Sequence, residues 1–386
     1  LQTVRVNRKG ANRVASGHPW IFSSDVLDRG KAAAGEVVTV MDPKGAALGT
    51  AHYSDASQIS LRMLSERVEP IDRAFYLRRI VAAEAHRKRV VSNSEAYRLV
   101  HGEADQLPGL VIDRYGEYFT LQTLDQGMER AKGEIVSALE ELFGPRGIVE
   151  RNDAAVRKRE ALPLQTGVVA GEVPETIAIG MNGFQLHADL LRGQKTGIFL
   201  DQRENYVAAA KYARRRALDC FTSTGGFALH LAARCESVEA VDSAEAALRV
   251  ARMNCEANGI ANVELREADV FELLAGHAIA RKRFDIVVLD PPAFAKSRQS
   301  LEAAMRGYGE INRRGLQLLD SGGILVTCSC SHHLSEAALL EIVAKAALDT
   351  GRKLRVLERR MQAQDHPVLL TVPETLYLKC LILEVI

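Results

Sequence analysis

The sequence predicts a multidomain α/β chain: a small β-rich domain, an α+β middle domain and a C-terminal Rossmann-like domain. Three observations carry that expectation. At 386 residues the chain exceeds the span of a single hydrophobic core. Residues 1–70 read as short strands broken by Gly, Pro and Asp. From about residue 184 apolar runs alternate with amphipathic stretches, the texture of a parallel sheet covered on both faces.

In chain order, "VRVN", "EVVTVMD", "ALGTAHYS" and "QISLRML" are the expected strands of the 1–70 domain. The first twenty residues hold Arg5, Arg8, Lys9 and Arg13 and no acid. Arg5, Lys9 and Arg13 are therefore candidate contacts for a polyanion, although a solvated edge explains the same charges. The middle domain, 71–183, opens with the helix "IDRAFYLRRIVAAEAHRKRVV" and continues through strands near 97–100, 110–113 and 118–124. A helix near 127–143 and the strand "GIVER" complete it, and "RKR" runs at 87–89 and 157–159 add two basic clusters. The third domain, 184–386, strings together "ALDCF", "VEAVD", "VELREAD", "FDIVVLD" and "GGILVTCSC" with helices from Gly226 and Ala244.

Composition narrows the function. With a net charge of +1 and 26% charged residues, nucleic-acid contact has to come from local patches. No run of about eighteen apolar residues suggests a membrane span, and the opening lacks the apolar core of a signal peptide. The chain does not open on Met, which leaves a removed leader open. Six cysteines without CxxC spacing fit reduced thiols in a cytoplasmic protein better than a disulfide framework. Cys328, Cys330, His332 and His333 are too closely spaced for a zinc knuckle, so no metal is expected.

Ligands of such sheets sit beyond the carboxyl ends of the strands. At the first end, "DCFTSTGGFALH" lacks the G-x-G-x-x-G of a dinucleotide site but carries Gly225 and Gly226 ahead of a helix suited to one carboxylate. Asp219, Phe221, Thr222, Thr224, Gly225 and Gly226 are the candidates there. Asp242, with Ser243, ends the second strand and suits two ribose hydroxyls. Asp269, with Val270, ends the third and suits an adenine amino group. A carboxylate, a ribose and an adenine without phosphate describe S-adenosylmethionine. Asp242 and Asp269 taken singly are credible helix caps, but three successive strand ends favour the ligand reading.

The fourth end, "LDPPAFAKS", places an acceptor-only ledge at Asp290 and the Pro291 carbonyl, fit for an exocyclic amino group. The cysteines bear on which atom is methylated. Carbon 5 of cytosine is a poor nucleophile until a thiolate adds at carbon 6. In an extended strand Cys328 and Cys330 share a face about 6.6 Å apart, so only one reaches a given ring carbon. Cys330 lies nearer the carboxyl edge and is the candidate nucleophile, with His332 as a group that would favour its thiolate. A buried thiol is the commoner fate of cysteine and fits Cys328, Cys220 and Cys255.

On "VHGEADQLPGLVIDRYGEY", "RNDAAVRKRE", "RGQKTGIFLDQREN", "DCFTSTGGFALH", "LDPPAFAKS", "SCSHHLS" and "DHPVLLTVPETLYLK", the chain resembles the bacterial PUA-domain large-subunit ribosomal RNA cytosine-carbon-5 methyltransferases. That resemblance runs nearly end to end. It implies an N-terminal PUA-like RNA-binding domain, an EEHEE-type middle domain and a class I methyltransferase domain. It also implies that Cys330 is the nucleophile, that Lys195, Phe199 and Gln202 wall the cofactor pocket, and that ribosomal RNA is the partner. A homodimer is compatible with it. Where many RNA cytosine methyltransferases carry a second cysteine after the motif-four proline, this chain has Pro292 and Ala293, leaving the base for the carbon-5 proton unassigned. Two alternatives are an amino-group or guanine methyltransferase using the Asp290 ledge without a thiol, and a non-catalytic RNA-binding protein. The latter would be expected to lose Asp290 or the glycine turn, and both are present.

Overall fold

The structure is a computed structural model describing residues 1–193, 195–294 and 301–386. The chain forms two compact units. One comprises Leu1–Ile179 with Asp189–Gly197 and Gln364–Thr375; the other comprises Gly180–Ala188, Ile198–Ala363 and Leu376–Ile386.

The first unit carries two sheets. Six strands pair in the order Trp20–Phe22, Ile59–Ser65, Ala47–Tyr53, Val37–Met41, Gln2–Val6, Val26–Asp28. Val4, Val6, Ile21, Val38, Val40 and Leu61 close their core. The four expected strands are present, and the opening basic stretch holds a short helix besides. Asn7 caps the helix Arg8–Ala15 by accepting from the Gly10 N–H at 2.8 Å. Lys9 and Arg13 ride on this helix: Lys9 lies 3.8 Å from Asp25, and the Arg13 guanidinium stacks 4.6 Å over Phe22. Arg5 is exposed on the first strand.

Five strands form the second sheet, in the order Gln165–Gly171, Gly147–Asn152, Tyr118–Thr123, Leu110–Tyr115, Ala96–His101. The helices Arg73–Val90 and Lys132–Phe143 pack on it through Phe75, Tyr76, Ile80, Ile135 and Leu139. Neither "RKR" run is a wholly solvated cluster. Arg87 is fully buried, donating 2.7 Å to Asp105 and 2.9 Å to the Asp365 carbonyl. Arg157 is likewise buried, 2.9 Å from Glu129. In each run the partnered arginine is a packing element, and only Lys88, Arg89, Lys158 and Arg159 reach solvent.

Two short segments of the span 184–386 fold with this unit. Thr196 donates to the buried Asp113, which also receives the Arg98 guanidinium at 2.7 and 3.0 Å. Asp365 accepts from the Arg98 backbone N–H at 2.8 Å. These buried acceptors draw the chain in, and apolar periodicity carries no trace of them.

The second unit is a seven-stranded sheet. Its strands are β1 (Arg216–Cys220), β2 (Ser237–Asp242), β3 (Val263–Glu267), β4 (Phe284–Leu289), β5 (Leu319–Ser329), β6 (Leu354–Arg360) and β7 (Lys379–Val385), in the order β3-β2-β1-β4-β5-β7-β6. β1 to β5 are parallel, and β7 runs antiparallel to both neighbours. The helices α1 (Arg203–Ala210), α2 (Gly226–Ala232) and α3 (Glu245–Ala257) pack in sequence. So do α4 (Val270–Ile279), α5 (Leu301–Gln317) and α6 (Glu336–Asp349). Strand order reverses between β1 and β4, the position at which sheets of this kind hold their ligands. Among the described residues no helix is long and apolar enough to cross a membrane.

Candidate active site

The site begins where β1 ends. Asp219 is fully buried; its Oδ2 accepts from the Thr222 hydroxyl at 2.6 Å and the Ala228 N–H at 3.0 Å, while Oδ1 has no partner. Burial pushes its pKa up to about 7, with Asp290 and Asp242 adding to the shift and the Thr222 bond opposing it. The turn that follows is held in an unusual conformation, with positive φ at Phe221 (64°), Ser223 (50°) and Gly225 (86°). Gly226 allows the Tyr206 ring to lie across the turn, since a Cβ there would sit 2.4 Å from the ring carbon bearing the hydroxyl. Thr222 is buried, whereas Phe221 and Thr224 are half-buried. The Thr224 carbonyl is fixed by Asn254 at 2.9 Å.

At the end of β2, Asp242 accepts from the Ser223 N–H and the Ala244 N–H, each at 2.9 Å. It thus ties two turns together, and its remaining lone pairs face a half-exposed surface beside the exposed Ser243. Asp269 is exposed and caps α4 by accepting from Glu272 N–H at 3.0 Å, with Val270 buried behind it. At the end of β4, Asp290 Oδ2 accepts from Gln202 at 2.9 Å. Gln202 in turn accepts from Asn205 at 2.6 Å. Phe199 is half-buried, and its carbonyl receives the Tyr206 hydroxyl at 3.3 Å.

Four successive strand ends thus carry Asp269, Asp242, Asp219 and Asp290, an edge that favours cations and hydrogen-bond donors. Lys195 belongs to the segment 189–197 of the first unit, exposed and at φ 52°.

β5 delivers the cysteines. Cys328 is buried directly across the ladder from Cys380, and burial raises its thiol well above the ordinary range. Cys330 lies one residue beyond the strand end and is half-exposed. Its neighbours are pinned. The Ser329 hydroxyl donates to Tyr308 at 2.9 Å, and the Ser331 hydroxyl meets the same phenol at 3.1 Å. Lys379 donates to the Ser331 carbonyl at 2.6 Å. His332 stacks 5.5 Å from Tyr377, and burial, Lys379 and His333 lower its pKa. That shift disfavours the charged imidazolium, the form in which His332 would lend positive charge to a thiolate.

Residues 155–382 match the family of S-adenosylmethionine-dependent methyltransferases, and residues 4–66 match the PUA-like domain. The chain belongs to the S-adenosylmethionine-dependent methyltransferase family. Among its relatives are proteins named ribosomal RNA large subunit methyltransferase I. The one from Klebsiella pneumoniae is 43% identical over 94% of this chain and 93% of its own, and the one from Tolumonas auensis 41% identical over 100% and 99%. A methyltransferase crystallised with S-adenosylhomocysteine shares the fold at TM-score 0.85, with 22% identity and full coverage of both chains. A methyltransferase from Streptococcus mutans does so at 0.84 and 22%, again with full coverage.

The methyltransferase cofactor is S-adenosylmethionine, and the residues present fit it. Its sulfonium, ammonium, ribose hydroxyls and adenine amino group are all cations or donors, whereas the strand ends offer carboxylates, one with an unpartnered buried oxygen. Tyr206, Tyr308 and Lys379 escaped the sequence reading. The first two sit at ordinary helix positions. Lys379 left a signal: a lone lysine inside the apolar run "LYLKCLILEV" is a buried charge in need of a reason.

Proposed function

We propose that this methyltransferase forms 5-methylcytosine in large-subunit ribosomal RNA through a covalent adduct at Cys330. The observation that carries the reading is a half-exposed cysteine at the carboxyl end of β5, the strand beside Asp290-bearing β4. Relatives of this length and identity bear a large-subunit ribosomal RNA methyltransferase name, which supports the substrate class.

Asp219, Phe221, Thr222, Thr224, Gly225 and Gly226 would hold the cofactor's amino-acid end, Asp242 and Ser243 its ribose, and Asp269 and Val270 its adenine. Phe199, Gln202 and Lys195 are proposed to wall the pocket. Bound there, the cofactor supplies an electrophilic methyl group. Asp290 accepts from the cytosine amino group and fixes the ring. The Cys330 thiolate forms a bond to carbon 6, and the displaced π pair makes carbon 5 nucleophilic toward the methyl. After transfer the carbon-5 proton is lost to a base, the sulfur–carbon bond breaks, and the thiolate and the ring double bond are restored. The target base must leave its stack for Sγ to reach carbon 6.

Arg5, Lys9 and Arg13 are proposed to contact RNA. Of these Arg5 carries the least intramolecular engagement, because Lys9 faces Asp25 and Arg13 stacks on Phe22. Incubating unmodified large-subunit ribosomal RNA with methyl-labelled cofactor and digesting it to nucleosides tests the reading. Label in 5-methylcytidine is expected; label in an N-methylated base instead would move the chemistry to the Asp290 ledge.

A further inference from the structure

Lys379 opens β7 directly opposite Ser329 of β5, and it is 6% exposed. Its Nζ donates to the Ser331 carbonyl at 2.6 Å and to the Tyr377 carbonyl at 2.8 Å. Among the described residues no carboxylate forms an ion pair with it. A buried ammonium with only carbonyl dipoles for partners is costly, and an anion beside it would offset that cost.

The surroundings point to which anion. Burial lowers the Lys379 pKa to about 8, and the groups that push it back up are Cys330 and Glu336. Glu336, at the start of α6, is already engaged by Arg359. Tyr308 reaches the loop from α5 and is held neutral by burial, which raises its pKa. Burial disfavours the charged form of His332, and His333 is exposed. Lys379 is thus a cation set against the loop that carries Cys330, and its bond to the Ser331 carbonyl clamps the backbone on that residue's carboxyl side, while its bond to the Tyr377 carbonyl ties it to its own segment.

Resting on the reading of Cys330 as nucleophile, we propose that Lys379 is a positioning residue that supplies the counter-charge for the Cys330 thiolate. The thiol proton passes to water, and Lys379 keeps its own. When Sγ bonds to carbon 6 the negative charge moves off sulfur into the ring, and when that bond breaks it returns beside the ammonium. The pairing works while Lys379 is charged and fades as the pH rises past about 8.

The test is the rate at which iodoacetamide alkylates Cys330 from pH 5 to 10, read by mass spectrometry of the Cys330 peptide in the intact protein. In the wild type Cys330 should titrate below the value of about 8.5 of a free thiol. Lys379→Met should raise its apparent pKa and slow alkylation at pH 7 about tenfold, and Lys379→Arg should restore most of the rate. Cofactor affinity reports whether each variant keeps its fold. An unchanged pKa in a folded Lys379→Met overturns the proposal. So does a wild-type Cys330 titrating at 8.5 or above, a result that stands even if the variant misfolds. The alkylation readout needs no RNA, so it is independent of whether Cys330 proves to be the nucleophile.

Discussion

Gln202 Nε2 donates to Asp290 Oδ2 across 2.9 Å, linking the "FLDQREN" segment to the end of β4. Asn205 fixes the other end of the same amide at 2.6 Å, so Gln202 has one orientation available and Asp290 is aimed rather than free to rotate. Hydrogen bonds to a charged acceptor contribute on the order of 1.5–3 kcal/mol. Gln202→Leu should therefore slow methyl transfer at least about tenfold. Single-turnover kinetics at saturating cofactor check this, and a rate within twofold of wild type would mean that Asp290 needs no such aim.

Asp219 carries the clearest pH signature. Its folded pKa of about 7 lies above that of an unfolded aspartate, so its protonated form is the one the fold favours. Its contribution to stability is fully present below about pH 4 and is lost as the pH rises to about 7. Asp219→Asn removes that loss. Without cofactor the variant should melt above wild type, by a margin that grows from about pH 4 to 7 and then levels off. Cofactor affinity should behave oppositely. A cationic ligand favours ionised Asp219, so wild-type affinity should fall below pH 7 by up to about tenfold per unit, while the Asn variant binds weakly with little pH dependence. Calorimetry across pH 5 to 9 reads both effects.

At the end of β2, Asp242 holds the Ser223 and Ala244 N–H groups. Asp242→Ala should weaken cofactor binding more than about tenfold, or 1.4 kcal/mol, because it removes ribose acceptors and loosens the glycine turn together. Titration calorimetry at pH 8 checks the loss; an affinity within twofold of wild type would mean that the carboxylate serves the turn alone.

The basic runs separate stability from binding. Arg157 is buried and donates to the Pro163 and Thr123 carbonyls as well as to Glu129, which also keeps Lys132, so Arg157→Ala should destabilise the protein by about 1–3 kcal/mol for each buried carbonyl left without its donor. The double variant Lys158→Ala/Arg159→Ala should melt like wild type but bind RNA with a shallower dependence on salt. Thermal melts and filter binding between 50 and 300 mM salt compare the two. An unchanged salt slope would remove this patch from the RNA-binding surface.

What the sequence disclosed follows from the range of the signals. The β1–β5 strands and their aspartates announce themselves because period and punctuation are local: "AVD", "READ" and "LDPP" each end an apolar run with a carboxylate. Composition likewise marks the strands Val37–Met41 and Ala47–Tyr53. The helix Arg8–Ala15 was hidden because its apolar positions are few and its cap, Asn7, is a single residue. The burial of Arg87 and Arg157 was hidden for a different reason. Their partners, Asp105, Asp365 and Glu129, lie 18, 278 and 28 residues away, and a charge run looks the same whether it is solvated or paired. Lys379 belongs to the same class: its carbonyl partner Ser331 is 48 residues distant. For these buried cations, distance in sequence rather than subtlety of chemistry hid the partner.

The covalent mechanism turns on which thiol attacks the base. Cys328 is sealed against Cys380 with its thiol held protonated, whereas Cys330 stands half-exposed one residue past the strand. Incubation with RNA containing 5-fluorocytosine, which blocks release of the adduct, followed by denaturing electrophoresis, decides between them. A covalent protein–RNA band is expected for wild type and for Cys328→Ala, and none for Cys330→Ala. A band that persists in Cys330→Ala, or one that is absent from an active wild type, would contradict Cys330 as the nucleophile.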